Sequence, residues 1–211
     1  MLGCPAPAAR RLPSRSRGFS IIEAVIAISI IVLLTLLGLP SLGVFLDNQK
    51  VRSAVEATYA CLQQARAEAV KLNAPVEFVM FNDAIDLNDF TFINAITPAV
   101  GGTNWAVRIP VGPLQYTLVT ARSGAESSGS GSASIVAVAG GVPTVTFNGF
   151  GATNGLAGTA TFQFTRANPV NPDLTCSPGG AIRCLNIAVT TGGQIKVCDP
   201  AVITPGDTRA C

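Results

Sequence analysis

The chain has 211 residues, with 14 basic and 12 acidic side chains, no histidine, 12% charged residues and 48% hydrophobic ones. The lack of histidine excludes Ser-His-Asp and Cys-His catalysis. The near balance of charge excludes a broadly basic surface that would draw in nucleic acid.

Residues 1–18 are rich in Pro, Ala, Arg and Ser, and carry Arg10, Arg11, Arg15 and Arg17 with no acid. Gly18 and Phe19 follow, then a single carboxylate, Glu23. From Ala24 to Leu46 there are 23 residues without a charge. As a helix at 1.5 Å per residue this run is about 34 Å long, enough for a bilayer core of about 30 Å. A secretory signal has a shorter apolar core and a small-residue cleavage site behind it. A plain signal anchor needs only basic flanks and apolar length, and leaves Glu23 unexplained, because a carboxylate at the edge of a span is costly without a partner. Removing residues 1–18 leaves ten basic and twelve acidic side chains.

This stretch resembles the signal of type IV prepilins and type II secretion pseudopilins: basic leader, glycine, phenylalanine, offset glutamate and apolar run. The resemblance implies cleavage after Gly18 by prepilin peptidase, N-methylation of Phe19 by the same enzyme, and a role for Glu23 in assembly. Pro40 falls where many pilins carry a helix-bending proline. The 18-residue leader is longer than most in the family. The implied partners are other pilins or pseudopilins, through packing of residues 19–46. The implied location is the inner membrane with the C-terminal domain in the periplasm, and from there a pilus or pseudopilus.

Helix is expected from near Phe19 to about Leu72, interrupted around Gly38, Pro40 and Gly43. Asp47 and Asn48 mark its emergence into water. Beyond them Val51, Val55, Thr58, Leu62, Ala65, Ala69 and Leu72 recur at helical spacing, with Lys50, Arg52, Glu56, Arg66, Glu68 and Lys71 largely off that stripe. Residues 47–72 are therefore an amphipathic helix whose apolar face packs on the domain, ended by Asn73 and Pro75.

Residues 76–211 read as β-structure, rich in Gly, Ser, Thr, Asn and Val. The expected strands are Val76–Phe81, Trp105–Ile109, Gln115–Thr120, Ile135–Val138, Thr144–Phe147, Ala160–Thr165, Leu185–Thr190 and Gln194–Val197. Asn154-Gly155 and Gly192-Gly193 read as hairpin turns, and Ser123–Ser134 as a polar loop. Asp83, Asp86 and Asp89 do not follow the EF-hand order and read as a solvated loop. Gly149-Phe150-Gly151 with Gly155 does not form a phosphate cradle. No metal or cofactor site is expected.

Trp105 after glycines, Thr144-Val145-Thr146-Phe147-Asn148-Gly149 and the Cys184–Cys211 stretch narrow the resemblance to the GspH/FimT minor pilin and pseudopilin family. It implies an α+β fold in which the long helix packs on two antiparallel sheets. Four cysteines fall in the last 36 residues without a C-x-x-C pair, so disulfides are favoured over zinc. Cys176–Cys184 and Cys198–Cys211 are the expected pairings, with Cys61 a buried thiol. Some members of the family bind DNA through a glycine-arginine-x-arginine motif in the last hairpin. The matching positions are Gly193-Gln194-Ile195-Lys196, where one cation of two remains. Arg183 and Arg209 could join Lys196, but Asp199 and Asp207 lie close by, and DNA binding is not favoured. The expected function is that of a minor pilin in type IV pilus assembly, as priming or tip subunit. The alternatives are a minor pseudopilin of a type II secretion system and a DNA-binding minor pilin for natural transformation. The chain is read as a peptidase substrate and not an enzyme.

Overall fold

The computed structural model describes residues 20–86, 88–89, 91–124, 135–139, 142–166, 182–204 and 206–211. The chain divides into two compact units, the first ending at Ser41 and the second running Leu42–Cys211. Helix α1 (Ile21–Leu72) passes Gly38, Pro40 and Gly43 as one element, so the expected interruption does not divide it.

The end of α1 follows from local chemistry. Asn73 takes the left-handed backbone (φ 47°), its N–H donates to the Val70 carbonyl, and the Ala74 N–H reaches back to the Ala69 carbonyl. That pair of bonds is the Schellman arrangement, with asparagine in place of the usual glycine. Pro75 then bars further helix.

In the second unit Val51, Val55, Thr58, Leu62, Ala65 and Ala69 are all buried, as their spacing predicts. Leu72 belongs to the expected stripe but is exposed, because the helix terminates there and the chain turns away. Asp47, expected in water, is buried.

The strands are β1 (Val76–Phe81), β2 (Asn104–Gly112), β3 (Gln115–Arg122), β4 (Ile135–Ala139), β5 (Thr144–Phe147), β6 (Thr153–Asn154), β7 (Ala160–Arg166), β8 (Leu185–Val189) and β9 (Ile195–Cys198). They form two antiparallel sheets, ordered β3-β2-β1-β5-β6 and β4-β7-β8-β9. The fold is α+β, with the two sheets the family resemblance implied. Alternation decides which faces turn inward. Val145 and Phe147 of β5 and Phe162 and Phe164 of β7 are buried, while the residues between them are only partly covered. These side chains join the α1 stripe in one core, where Phe78 of the first sheet meets Phe162 of the second edge to face at 5.7 Å. Such a pair contributes about 0.5–1.5 kcal/mol beyond its buried area.

Two turn expectations part ways. Gly192-Gly193 does lie in the β8–β9 hairpin, closed by the Thr190 N–H to Gln194 carbonyl bond. Asn154-Gly155 is not a hairpin: it begins the passage from the first sheet to the second, and the turn joining β5 to β6 is Asn148–Ala152. The Asn148 side chain organises that turn, accepting from the Phe150 and Ala152 N–H groups, and so does a turn dipeptide's work from one position earlier.

A short helix α2 (Phe92–Ala95) and its flanking loop give Ile93 and Ile96 to a second apolar cluster with Val79, Phe81 and Ala106. Arg108 is buried beside it. Its guanidinium pairs with the Glu77 carboxylate, donates to the Ile93 carbonyl at 3.2 Å, and lies 3.6 Å from the centre of the Tyr116 ring.

Candidate functional site

Three places were marked by the sequence: the start of α1, the aspartate loop and the last hairpin. At the start of α1, Ser20 accepts from the Glu23 and Ala24 N–H groups through its carbonyl oxygen, at 3.1 and 3.2 Å. The order Ser20-x-x-Glu23 has the spacing of a capping box, a helix-start signal readable from the sequence. Glu23 lies in the first turn, where the helix dipole favours a carboxylate. Its side chain is exposed and has no hydrogen-bond partner among the described residues. Gly18 and Phe19 lie outside the described residues.

From Ile21 to Leu34 every large apolar side chain is at least half exposed, on all faces of the helix. The hydroxyls of Ser29 and of Thr35, just past this stretch, turn back onto the backbone, Ser29 Oγ donating to the Val25 carbonyl at 2.7 Å and Thr35 Oγ1 to the Val32 carbonyl at 2.8 Å. A segment so arranged makes no demand for water except at Glu23. Among the described residues no helix is long and apolar enough to cross a membrane.

In the aspartate loop each carboxylate is spent on the chain itself. Asp83 accepts from the Thr97 N–H, Asp86 from the Asn88 N–H, and Asp89 from both the hydroxyl and the N–H of Thr91. The Thr91 hydroxyl, then its N–H, holds the Asp89 carboxyl below the usual carboxylate range.

The last hairpin borders a cleft of about 720 Å³ within the second unit, between the Phe45–Tyr59 part of α1 and the C-terminal segment. Arg183 and Arg209 both line it, together with Arg52, Val197 and Asp199, while Lys196 does not. The amine of Lys196 donates to the Ala210 carbonyl at 2.8 Å. Arg209 pairs with Asp207 and Arg52 with Glu56, each at 2.8 Å. The Arg209 guanidinium and N–H hold the Asp207 carboxyl down at about 2. Two of the three cations named from the sequence are thus engaged within the chain. Asn48, which also lines the cleft, ties its two sides together, since its Oδ1 accepts from the Arg183 N–H at 2.8 Å. Nothing in the sequence marked that bond, which joins residues 135 positions apart.

The Cys198–Cys211 disulfide is formed as expected, with Cα atoms 5.1 Å apart, and closes the loop that carries Thr208 and Arg209. Cys184 is also disulfide-bonded, and its expected partner Cys176 lies outside the described residues. Cys61 is a buried free thiol. Burial pushes it up, against a smaller opposing pull from Trp105 and Arg122.

A family model described as type II transport protein GspH matches residues 54–193. Among solved structures, the type IV minor pilin FimU of Pseudomonas aeruginosa strain PAO1 is similar in two crystal forms. In space group P21 the identity is 16%, over 77% of this chain and 97% of that one, with a TM-score of 0.46. In space group P65 it is 18%, over 74% and 97%, with a TM-score of 0.43. No curated protein matches the chain.

Proposed function

We propose, from the premise that this chain belongs to the GspH family, that it is a minor pilin subunit built into a type IV pilus. The observation that carries the proposal is Glu23, alone in an apolar helical stretch that is exposed on every face and begins just after Gly18-Phe19. Prepilin peptidase would cut after Gly18 and methylate Phe19, placing a cationic amine four residues from Glu23. The carboxylate gains most from a countercharge where the dielectric is low, and the amine of an adjacent subunit supplies one. Pairing of these charges sets the axial register while the apolar helices pack.

In this reading residues 19–46 anchor the subunit in the inner membrane before assembly, and residues 47–211 are the periplasmic domain. The disulfide at Cys198–Cys211 supports an oxidising compartment. The partners are other pilins, through the N-terminal helix, and the peptidase. A pseudopilus of a type II secretion system is the second setting. The short final loop, Cys198-Asp199-Pro200 to Arg209-Ala210-Cys211, resembles that of pilus-associated members and favours the pilus. DNA binding is the weaker reading, because Lys196 and Arg209 are held by the chain's own oxygens.

Mass measurement of the purified protein tests the first step, with a terminus at N-methylated Phe19 expected. An intact leader or an unmodified terminus removes the proposal. In cells, Glu23→Ala is expected to insert in the membrane normally and to fall out of filaments almost completely. Wild-type incorporation of that variant removes the assembly role of Glu23.

A further inference from the structure

Two Asn-Gly dipeptides occur in the chain, Asn148-Gly149 in the turn before β6 and Asn154-Gly155 at the end of that strand. Asparagine is a chemically labile residue, because the next peptide nitrogen can attack its side-chain amide carbon. Glycine leaves that nitrogen least shielded, having no Cβ to cover it. The sequence therefore offers the same reactive pair twice, and the fold treats the two copies oppositely.

Asn148 is locked. Its Oδ1 accepts from the Phe150 N–H at 3.0 Å and the Ala152 N–H at 3.1 Å. Its own N–H donates to the Ala152 carbonyl, and its carbonyl accepts from the Gly151 N–H, both at 2.8 Å. A Cβ on Gly149 would collide with the side chain and main chain of Asn73 at the end of α1. Swinging the Asn148 amide over the Gly149 nitrogen would break two hydrogen bonds and disturb a packed turn.

Asn154 meets none of these restraints. Its pairing with Thr146 is the last of the β5–β6 ladder, so the Gly155 nitrogen lies past it. Both residues are exposed. The Asn154 side chain and the Gly155 N–H have no hydrogen-bond partner among the described residues. A Cβ on Gly155 would meet nothing within 4 Å, and Ala157, Gly158 and Thr159 beyond it are exposed as well.

We infer that Asn154 is a site of spontaneous deamidation in the folded protein, and that the turn at Asn148 protects the other copy. The Gly155 nitrogen, its proton taken by hydroxide, attacks Asn154 Cγ. The N–Cγ bond forms, the Cγ–Nδ2 bond breaks, and the proton lost from the peptide nitrogen is returned on the ammonia that leaves. Water then opens the cyclic imide at either carbonyl, giving aspartate or isoaspartate, with no electron transferred. The product is a new carboxylate where the chain leaves the first sheet for the second, and in the iso form one added main-chain atom. The exposed passage before β7 absorbs that atom. At residue 148 the same insertion would dismantle a turn whose Gly151 carbonyl accepts from Arg66 Nε at 3.0 Å and lies against Gly193.

The test incubates the full-length chain, purified in detergent, at mildly alkaline pH, in native buffer and in parallel in urea. Cleavage after Phe150 puts the two sites on different peptides for mass spectrometry, and isoaspartate is read by enzymatic methylation. In native buffer Asn154 is expected to convert at least about tenfold faster than Asn148, whose reaction must first break two hydrogen bonds. The rate at Asn154 should rise with hydroxide concentration. In urea the two sites should convert at similar rates, because neither is held. Asn154→Gln should remove the product at that position and leave the thermal midpoint unchanged. The inference is overturned by an Asn148 that converts in native buffer as fast as Asn154 or faster. It is overturned equally by an Asn154 that converts in urea but not in the fold, or by no conversion at either site under either condition.

Discussion

From Ile21 to Leu34 the large apolar side chains of α1 stand open on every face, whereas from Val51 to Ala69 they form a single buried stripe with charges on the other side. The two stretches share one helix and use similar apolar residues. What separates them is what the rest of the chain provides. Two sheets bring Phe78, Phe147, Phe162 and Ile187 to the second stretch, while the large apolar side chains of the first stand exposed. An amphipathic stripe records a partner already present in the same molecule, while an all-round apolar helix asks for one from elsewhere.

That contrast can be broken most sharply at Leu62, fully buried in the stripe. Leu62→Ala is expected to destabilise the second unit by about 2–5 kcal/mol, and Ile30→Ala in the exposed stretch to change its stability by less than about 0.5 kcal/mol. Denaturant unfolding of the detergent-solubilised chain measures both; equal losses would erase the distinction between the halves. Next in size is the disulfide that closes the wall of the cleft beside the bound stretch. Cys211→Ser is expected to cost about 2–3 kcal/mol for so short a loop, read in the same unfolding experiment. The smallest effect concerns acid. Because Asp207 is held down at about 2 in the fold, its pairing with Arg209 is complete above the unfolded carboxylate value of about 4 and is lost as pH falls through about 2. An NMR titration should place its midpoint near 2, and a midpoint near 4 would mean that the loop does not hold the pair in solution.

The bound stretch of α1 was legible because a period of 3.6 places the same side of the helix inward for five turns. The strands were legible for the same kind of reason: alternation and β-branched runs located every expected strand to within a few residues. What was hidden depends on contacts that sequence spacing does not encode. Leu72 is exposed because the chain ends its helix there, and Asp47 is buried although its type predicts water. The four-residue α2 is too short to show a period, and the pairing of Arg108 with Glu77 and Tyr116 exists only once β1, β2 and β3 are side by side. At the start of α1 the charge pattern was plain in the sequence, and Ser20 adds a signal that the Glu23 reading had left unused. At the last hairpin the cations and the nearby Asp207 were visible, but the hold of the Ala210 carbonyl on Lys196 was not.

Cys61 gives this fold a built-in stopwatch. Its sulfur is sealed under the packed length of α1, so a thiol reagent added to living cells reaches it only while the helix has lifted from the sheets. The rate of alkylation would therefore report how often the subunit loosens its grip on its own spine, before and after it joins its neighbours, without any added label.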